Sequence, residues 1–294
     1  MSAQTTLSVI IPTRNRPSQA RRGVTALLAE MSAHDLGSRV EIVLVDDASD
    51  LAGTSDVEAE IARSAPEVLR LVQLPRRSGP AAARNAGVAR SRGDVLAFLD
   101  DDIAPADDYL RQTLAFHERR PEVLVVNGNL RPLRDDAYSR FWFHLYDAAF
   151  NRPGEVYQVA MLASGLCSIK RRLLELLDEP LFDAALRQRE DFDLYLRLRA
   201  RAVEVYKCDH ILAYNDCRRS LPAFVRQYAG YEVSQQQIVA KHGAAAAAES
   251  ARPVRREWRF LHFYVLLRLA REAALLGARL RRLVGDTPPR RRPA

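Results

Sequence analysis

Five short apolar runs in the first half of the chain constrain its fold more than any other feature. They read "LSVII" (7–11), "EIVLV" (41–45), "VLRLVQL" (68–74), "VLAFL" (95–99) and "VLVV" (123–126). Runs this short and this apolar suit strands covered on both faces, as in a parallel sheet. The segments between them, 17–31, 55–64, 80–91 and 107–120, carry helical patterns. Strands alternating with helices of this length predict a doubly wound α/β sheet, which binds ligands at the carboxyl ends of its strands. Those ends read "PTRN" (12–15), "DDAS" (46–49) and "DDD" (100–102), so oxygen-rich residues are expected to collect along one edge.

The second half is less regular. Helical patterns recur at 168–178, 189–201 and 221–241, with a linker-like "GAAAAAESARP" at 243–253 and a long basic amphipathic pattern over 255–284. The pattern ends at Gly285, and the arginine-rich tail beyond it reads as disordered. Within 255–284 the apolar "FLHFYVLL" is flanked by arginines. Packing on the domain or on a second subunit is one reading of that helix, and contact with an anionic membrane surface is the other.

Composition narrows the class. Hydrophobic residues make up 48 % of the 294 positions and charged residues 28 %, which is the balance of a globular protein with a real core. The net charge of +7 sits in the tail: residues 251–294 hold twelve arginines against three acids, leaving the rest slightly acidic. A nucleic-acid binder carries its basic face on the folded domain, so no nucleic-acid partner is expected. The cysteines, Cys167, Cys208 and Cys217, form no CxxC pair, which argues against a disulfide framework or a structural zinc. The opening "MSAQTTLSVIIP" lacks a signal-peptide pattern, and no apolar run approaches the ~20 residues that span a bilayer. The expectation is a cytoplasmic protein, peripheral at the inner face of the membrane if the basic helix binds lipid.

Asp100, Asp101 and Asp102 put three like charges at the end of an apolar run. If the backbone stays extended past Leu99, Asp100 and Asp102 face one side and Asp101 the other. Carboxylates two residues apart can grip a divalent cation, and hard oxygen ligands select Mg²⁺ or Mn²⁺ completed by substrate phosphates. The competing reading is a loop whose acids, with Asp107 and Asp108, serve the N-terminus of the helix that follows. Phosphatases of the haloacid dehalogenase type also carry Asp-x-Asp after a strand. They place it on the first strand, followed by Thr or Val, whereas here it follows the fourth and is trailed by Ile103-Ala104-Pro105.

Four stretches in order, "LSVIIPTRNRP" (7–17), "EIVLVDDASD" (41–50), "GPAAARNAGVARSRGDVLAFLDDDIAP" (79–105) and "REDFDLYLRLR" (189–199), resemble family 2 glycosyltransferases of GT-A fold. The resemblance spans roughly residues 7–220. It implies a Rossmann-like, mixed but mostly parallel sheet flanked by helices, with a C-terminal helical extension. The domain would run over 1–220, with a nucleotide-sugar half at 1–105 and an acceptor half at 106–220, and the extension over 221–294. It implies inverting transfer of a sugar from a nucleoside diphosphate, with a UDP-sugar favoured as donor and a glycan, lipid-linked glycan or secondary metabolite as acceptor. Mn²⁺ or Mg²⁺ would be the cofactor.

The same resemblance assigns residues. Pro12, Thr13 and Arg14 would line the nucleotide site, and Asp46 would accept a hydrogen bond from the base. Asp47 is read instead as making an Asx turn with Ser49. Gly79 and Pro80 open a helix from which Arg84 would reach base or phosphate, while Asn85 ties loops together. Asp100 and Asp101 would contact ribose and donor sugar, and Asp102, with Asp100, would ligate the metal. Asp191 is the expected base and Glu190 orients it or the acceptor. Gly165, in "MLASGLCSIKRR", would allow close approach of the acceptor. Arg197 and Arg199 either reach the diphosphate or lie on an exposed helix face. One departure stands out: where relatives carry a His as a further metal ligand, this chain has Asn215, with His210 five residues upstream. A nucleotidyltransferase or phosphatase on a related sheet, and an inactive nucleotide-sugar-binding homologue, are the alternative readings.

Overall fold

The structure is a computed structural model that describes residues 6–50, 54–150, 155–186, 188–216, 221–244, 258–269 and 272. The chain divides into two compact units, residues 1–217 with 250–254, and residues 218–249 with 255–294.

In the first unit the strand–helix alternation of the sequence is realised as β1 (Leu7–Thr13), α1 (Pro17–Ala33), β2 (Val40–Asp46), α2 (Thr54–Ser64), β3 (Leu69–Gln73), α3 (Pro80–Arg90) and β4 (Val95–Leu99). There follow β5 (Ile103–Pro105), α4 (Tyr109–Arg119), β6 (Val125–Pro132), α5 (Ala137–Phe150), β7 (Val156–Val159), β8 (Leu166–Lys170), α6 (Glu190–Ala200) and β9 (Val205–Asn215). The strands form one sheet in the order β3-β2-β1-β4-β8-β6-β9-β5, with β7 also paired to β9. Strands β1 to β4, β6 and β9 run one way, and β5, β7 and β8 the other.

Every residue of β1 and of β4 is buried, as the unbroken apolar runs require. The pleat sorts their side chains into two cores. Val9, Ile11, Ile42, Leu44, Ala97 and Leu99 point to the face covered by α1 and α4. Ile10, Val43, Val45, Leu96 and Phe98 point to the face covered by α3 and α6. β1 runs past the expected end at Ile11 to Thr13. Its pairing with β4 stops at Ile10, while that with β2 continues, so Pro12 leaves no gap in the ladder on the β4 side.

Two local expectations are corrected. The helix read over 168–178 is instead β8 and a 3-10 helix at Arg171–Leu176. The segment "LCSIK" is apolar on alternate sides and inserts antiparallel between β4 and β6, where a strand buries both faces. Asp108 is the N-cap residue of α4, but its side chain makes no capping hydrogen bond. The carboxylate of Glu30 in α1 accepts the N–H groups of Leu110 and Arg111 at 2.9 and 3.0 Å.

The second unit contains α7 (Leu221–His242), a 3-10 helix at Trp258–Phe260 and helical residues 261–269. Leu261, Val265 and Leu269 recur at four-residue spacing and are exposed. No described helix is long and apolar enough to cross a membrane. Cys217, the greater part of the expected linker, the rest of 255–284 and the arginine-rich tail lie outside the described residues.

Phe98 is fully buried and meets Phe182 edge to face at 5.1 Å. Phe98→Ala is expected to lower unfolding free energy by about 3–5 kcal/mol in urea denaturation. Leu176→Ala, at a half-exposed position, is expected to change it by about 0.5 kcal/mol or less.

Candidate active site

Because β1, β2 and β4 are parallel, their carboxyl ends share one edge, and Thr13 stands opposite Asp46 in the register. The Thr13 hydroxyl donates to Asp101 Oδ2 at 2.9 Å. Arg16, just ahead of α1, donates through Nη1 to Asp101 Oδ1 at 2.9 Å and to Asp102 Oδ2 at 3.1 Å. Burial pushes the Asp101 carboxyl up to about 6, against the opposing charge of Arg16. Arg14 turns away from this cluster and pairs with Asp50 at 2.8 Å.

The Ser49 turn expected of Asp47 is made by its neighbour at the end of β2. Asp46, not Asp47, makes the turn with Ser49: its Oδ1 accepts the Ser49 N–H at 2.9 Å and hydroxyl at 2.6 Å. Asp47 accepts the N–H groups of Ser78 and Gly79 at 2.6 and 2.9 Å, anchoring the start of α3. Gly79 holds φ at 92°, a left-handed value that only glycine adopts without strain.

Arg84, one turn into α3, is 3 % exposed and lies between two carboxylates. Its Nη1 donates to Glu190 Oε1 and its Nη2 to Asp100 Oδ1, both at 2.6 Å. The planar fork suits this bridge, with a separate N–H for each acid. Ser164 adds a hydrogen bond to Glu190 at 3.2 Å. Asn85 clamps the backbone of Phe182, donating to its carbonyl at 2.7 Å and accepting its N–H at 3.0 Å, which is the loop-tying role expected of it. The Phe182 ring then lies 5.5 Å from the Arg84 guanidinium carbon.

Glu190 and Asp191 open α6, and Arg189 before them takes a left-handed φ of 63°. Burial, then the neighbouring Glu190, raises the Asp191 carboxyl above the usual range, while the Phe192 N–H and the charges of Arg84 and Arg189 oppose it. Arg197 is buried against Asp193 at 2.8 Å and the carbonyls of Pro180 and Leu181, so it braces α6; Arg199 is exposed.

Gly165 sits beside Asp100. Its carbonyl accepts the Asp100 N–H at 3.0 Å, and a Cβ there would come within 2.6 Å of Asp100 Oδ2. The close approach that glycine permits is therefore to the carboxylate cluster itself. Asn215 ends β9 opposite Ile103, next to the backbone of Asp102, whose carbonyl accepts the Asp216 N–H at 3.2 Å. His210 lies elsewhere on β9, 3.4 Å from Glu155 and exposed. Arg16, Ser164 and Glu58 join the cluster without having been singled out in the sequence. Arg16 lies in "PTRNRP" and Ser164 in "MLASGLCSIKRR", whereas Glu58 carried no signal there.

The family model for glycosyl transferase family 2 matches residues 8–178, more than half of the chain. The chain belongs to glycosyl transferase family 2. An uncharacterized glycosyltransferase of Haemophilus influenzae is 32 % identical over 126 residues, 42 % of this chain and 46 % of that protein. The undecaprenyl-phosphate 4-deoxy-4-formamido-L-arabinose transferase of Pseudomonas aeruginosa is 34 % identical over 144 residues, 46 % and 38 % of the two chains. Each match spans less than half the length of the relative. Among solved structures, the mannosyltransferase PcManGT of Pyrobaculum calidifontis, in complex with GDP-Man and Mn²⁺, aligns over 98 % of this chain and 78 % of its own. Its TM-score is 0.63 at 19 % identity. S. aureus TarS in complex with UDP aligns over 83 % of this chain and 70 % of its own, with a TM-score of 0.55 at 20 % identity. The fold of this family 2 protein is thus GT-A.

The donor set of the family 2 site suits a hard cation. It offers carboxylate oxygens at Asp100 and Asp102 and an amide at Asn215. Among the described residues no group of three His, Cys, Asp or Glu side chains is arranged to hold a metal ion by itself. Mg²⁺ typically takes one or two carboxylates and completes its shell with water and substrate phosphate.

Removing the Arg84 guanidinium leaves Asp100 and Glu190 without their shared counter-charge. Arg84→Met is expected to lower unfolding free energy by about 3–5 kcal/mol, read by urea denaturation at neutral pH.

Proposed function

We propose that this chain transfers a sugar from a nucleoside diphosphate to an acceptor hydroxyl with inversion, assisted by a divalent cation. The observation that carries the reading is the Arg84 bridge, which ties the carboxylate cluster after β4 to the acidic pair that opens α6. Donor-side and acceptor-side groups thereby meet at one edge of the sheet. On this reading Pro12, Thr13 and Asp46 hold the nucleoside, with Asp46 accepting from a base N–H. Asp100 and Asp101 contact ribose and donor sugar, and Gly79 sets the start of α3 beside the nucleotide.

Asp102 with Asp100 would hold Mn²⁺ or Mg²⁺, and Asn215, through its carbonyl oxygen, is the candidate for a further ligand in preference to His210. The cation supplies positive charge to the leaving diphosphate. Asp191 takes the acceptor hydroxyl proton as that oxygen bonds to the anomeric carbon. The bond from that carbon to the diphosphate oxygen breaks, and the electron pair leaves with the diphosphate. The raised Asp191 carboxyl suits a base that must accept a proton near neutral pH. Glu190, fixed by Arg84 and Ser164, orients acceptor and base, with Gly165 lining the same side.

A UDP-sugar is the favoured donor and a glycan or lipid-linked glycan the acceptor. The exposed Leu261, Val265 and Leu269, near Arg259 and Arg268, support peripheral contact with a membrane surface or a second copy of the chain.

A thermal-shift screen of UDP, GDP and TDP with and without Mn²⁺ tests the class, and a selective, metal-dependent stabilisation is the expected result. Asp102→Ala is expected to abolish the metal dependence of that shift. Asp191→Asn is expected to reduce release of nucleoside diphosphate from the sugar nucleotide by about 10²–10⁴-fold with binding unchanged. In the wild type, kcat/KM should rise with pH through a midpoint above the ordinary carboxylate range, because the base works only when ionised. Undiminished turnover in Asp191→Asn would sink the base assignment.

A further inference from the structure

Glu58 of α2 is fully buried, and neither of its carboxyl oxygens accepts an N–H or O–H from the described protein. A buried ionised carboxylate in that position would carry a large uncompensated desolvation cost. The side chain that faces it within hydrogen-bonding reach is Asp46, itself 2 % exposed, with Asp101 further off. Two carboxyls can pair only when one of them keeps its proton. Asp46 Oδ1 already accepts the Ser49 N–H and hydroxyl, which leaves Oδ2 as the oxygen not engaged with Ser49.

We propose that Glu58 is a positioning residue for the donor: its carboxyl proton is shared with Asp46 and holds that carboxylate in place to receive the nucleobase N–H. This deepens the proposed function and rests on its placement of the nucleoside at Asp46. Burial, then the charges of Asp46 and Asp101, pushes the Glu58 carboxyl up to about 8. Among the described residues, the arginines of the adjoining segments are engaged by other acids. Arg16 is held by Asp101 and Asp102, Arg14 by Asp50, and Arg21 pairs with Glu60 at the exposed side of α2. No cation among these is bonded to Glu58. Below about pH 8 Glu58 donates to Asp46. Above it the two carboxylates repel, and Asp46 is driven from its position.

The test is calorimetric titration of the full chain with UDP and with GDP, Mg²⁺ held saturating, from pH 6.5 to 9. Wild-type affinity is expected to fall about tenfold between pH 7 and pH 9, as a single ionisation near 8 requires. Glu58→Gln keeps a hydrogen-bond donor and cannot ionise. It is expected to bind within about twofold of wild type at pH 7 and to show no fall. A parallel fall in Glu58→Gln and wild type overturns the positioning role. Failure of the wild type to bind either nucleotide at any pH overturns the donor reading instead. Urea denaturation without nucleotide reads the pair independently. The raised carboxyl contributes stability that is lost as pH rises from the ordinary glutamate range through about 8. Glu58→Gln should therefore gain on wild type across that window, and a constant difference refutes the shared proton.

Discussion

The Arg84 guanidinium is the interaction on which the rest of this site depends. It is buried, so its charge must be matched, and it is matched twice, by Asp100 from the strand end and by Glu190 from the start of α6. Each acid alone would be costly so close to the core. With the arginine between them, 106 residues before Glu190 in the sequence, the end of β4 and the opening of α6 become one electrostatic unit. The same pairing sets Asp191 beside it, since Asp191 follows Glu190 on the same helical turn. The clamp of Asn85 on Phe182 and the packing of Phe182 on Phe98 hold the helix that carries the arginine against the loop that leads to α6.

Charge balance along the rest of the edge follows the same logic. Asp101 and Asp102 share Arg16, Asp50 takes Arg14, and Asp47 takes two backbone N–H groups. The exception is Glu58 against Asp46, a buried acid with no N–H or cation bonded to it among the described residues, for which a proton is the counterpart we propose. On the proposed function, which brings a diphosphate and a divalent cation to this edge, the acids must be held in place but not all neutralised. That is the arrangement between β1, β2 and β4.

Much of this was legible in the linear chain. The apolar runs named β1 to β4 because a strand covered on both faces has no polar alternation to lose. The Asp100–Asp102 run marked the edge because three acids after a buried strand repel one another unless a counter-charge answers them. The motifs of the family then named Asp191 and Glu190. β8 was misread as a helix, since a short apolar run carries no reliable period and its burial comes from β4 and β6 on either side. The turn with Ser49 was expected at Asp47 and falls to Asp46, because either spacing permits it. The choice between them depends on where the start of α3 lies. Glu58 gave no signal, as one glutamate in an amphipathic helix looks like any solvated one.

The sequence by itself determined the strand–helix alternation, the edge on which the acids collect and the family to which the chain belongs. Periodicity, local charge and motif order are properties of neighbours along the chain. Only the tertiary structure decided which arginine meets which acid, that Gly165 serves the approach of Asp100, that Asn215 and not His210 comes beside Asp102, and that Glu58 faces Asp46. Those pairings depend on strand order and on the antiparallel insertion of β8. They are set by burial, which makes every unpaired charge costly and leaves few arrangements in which each one is answered.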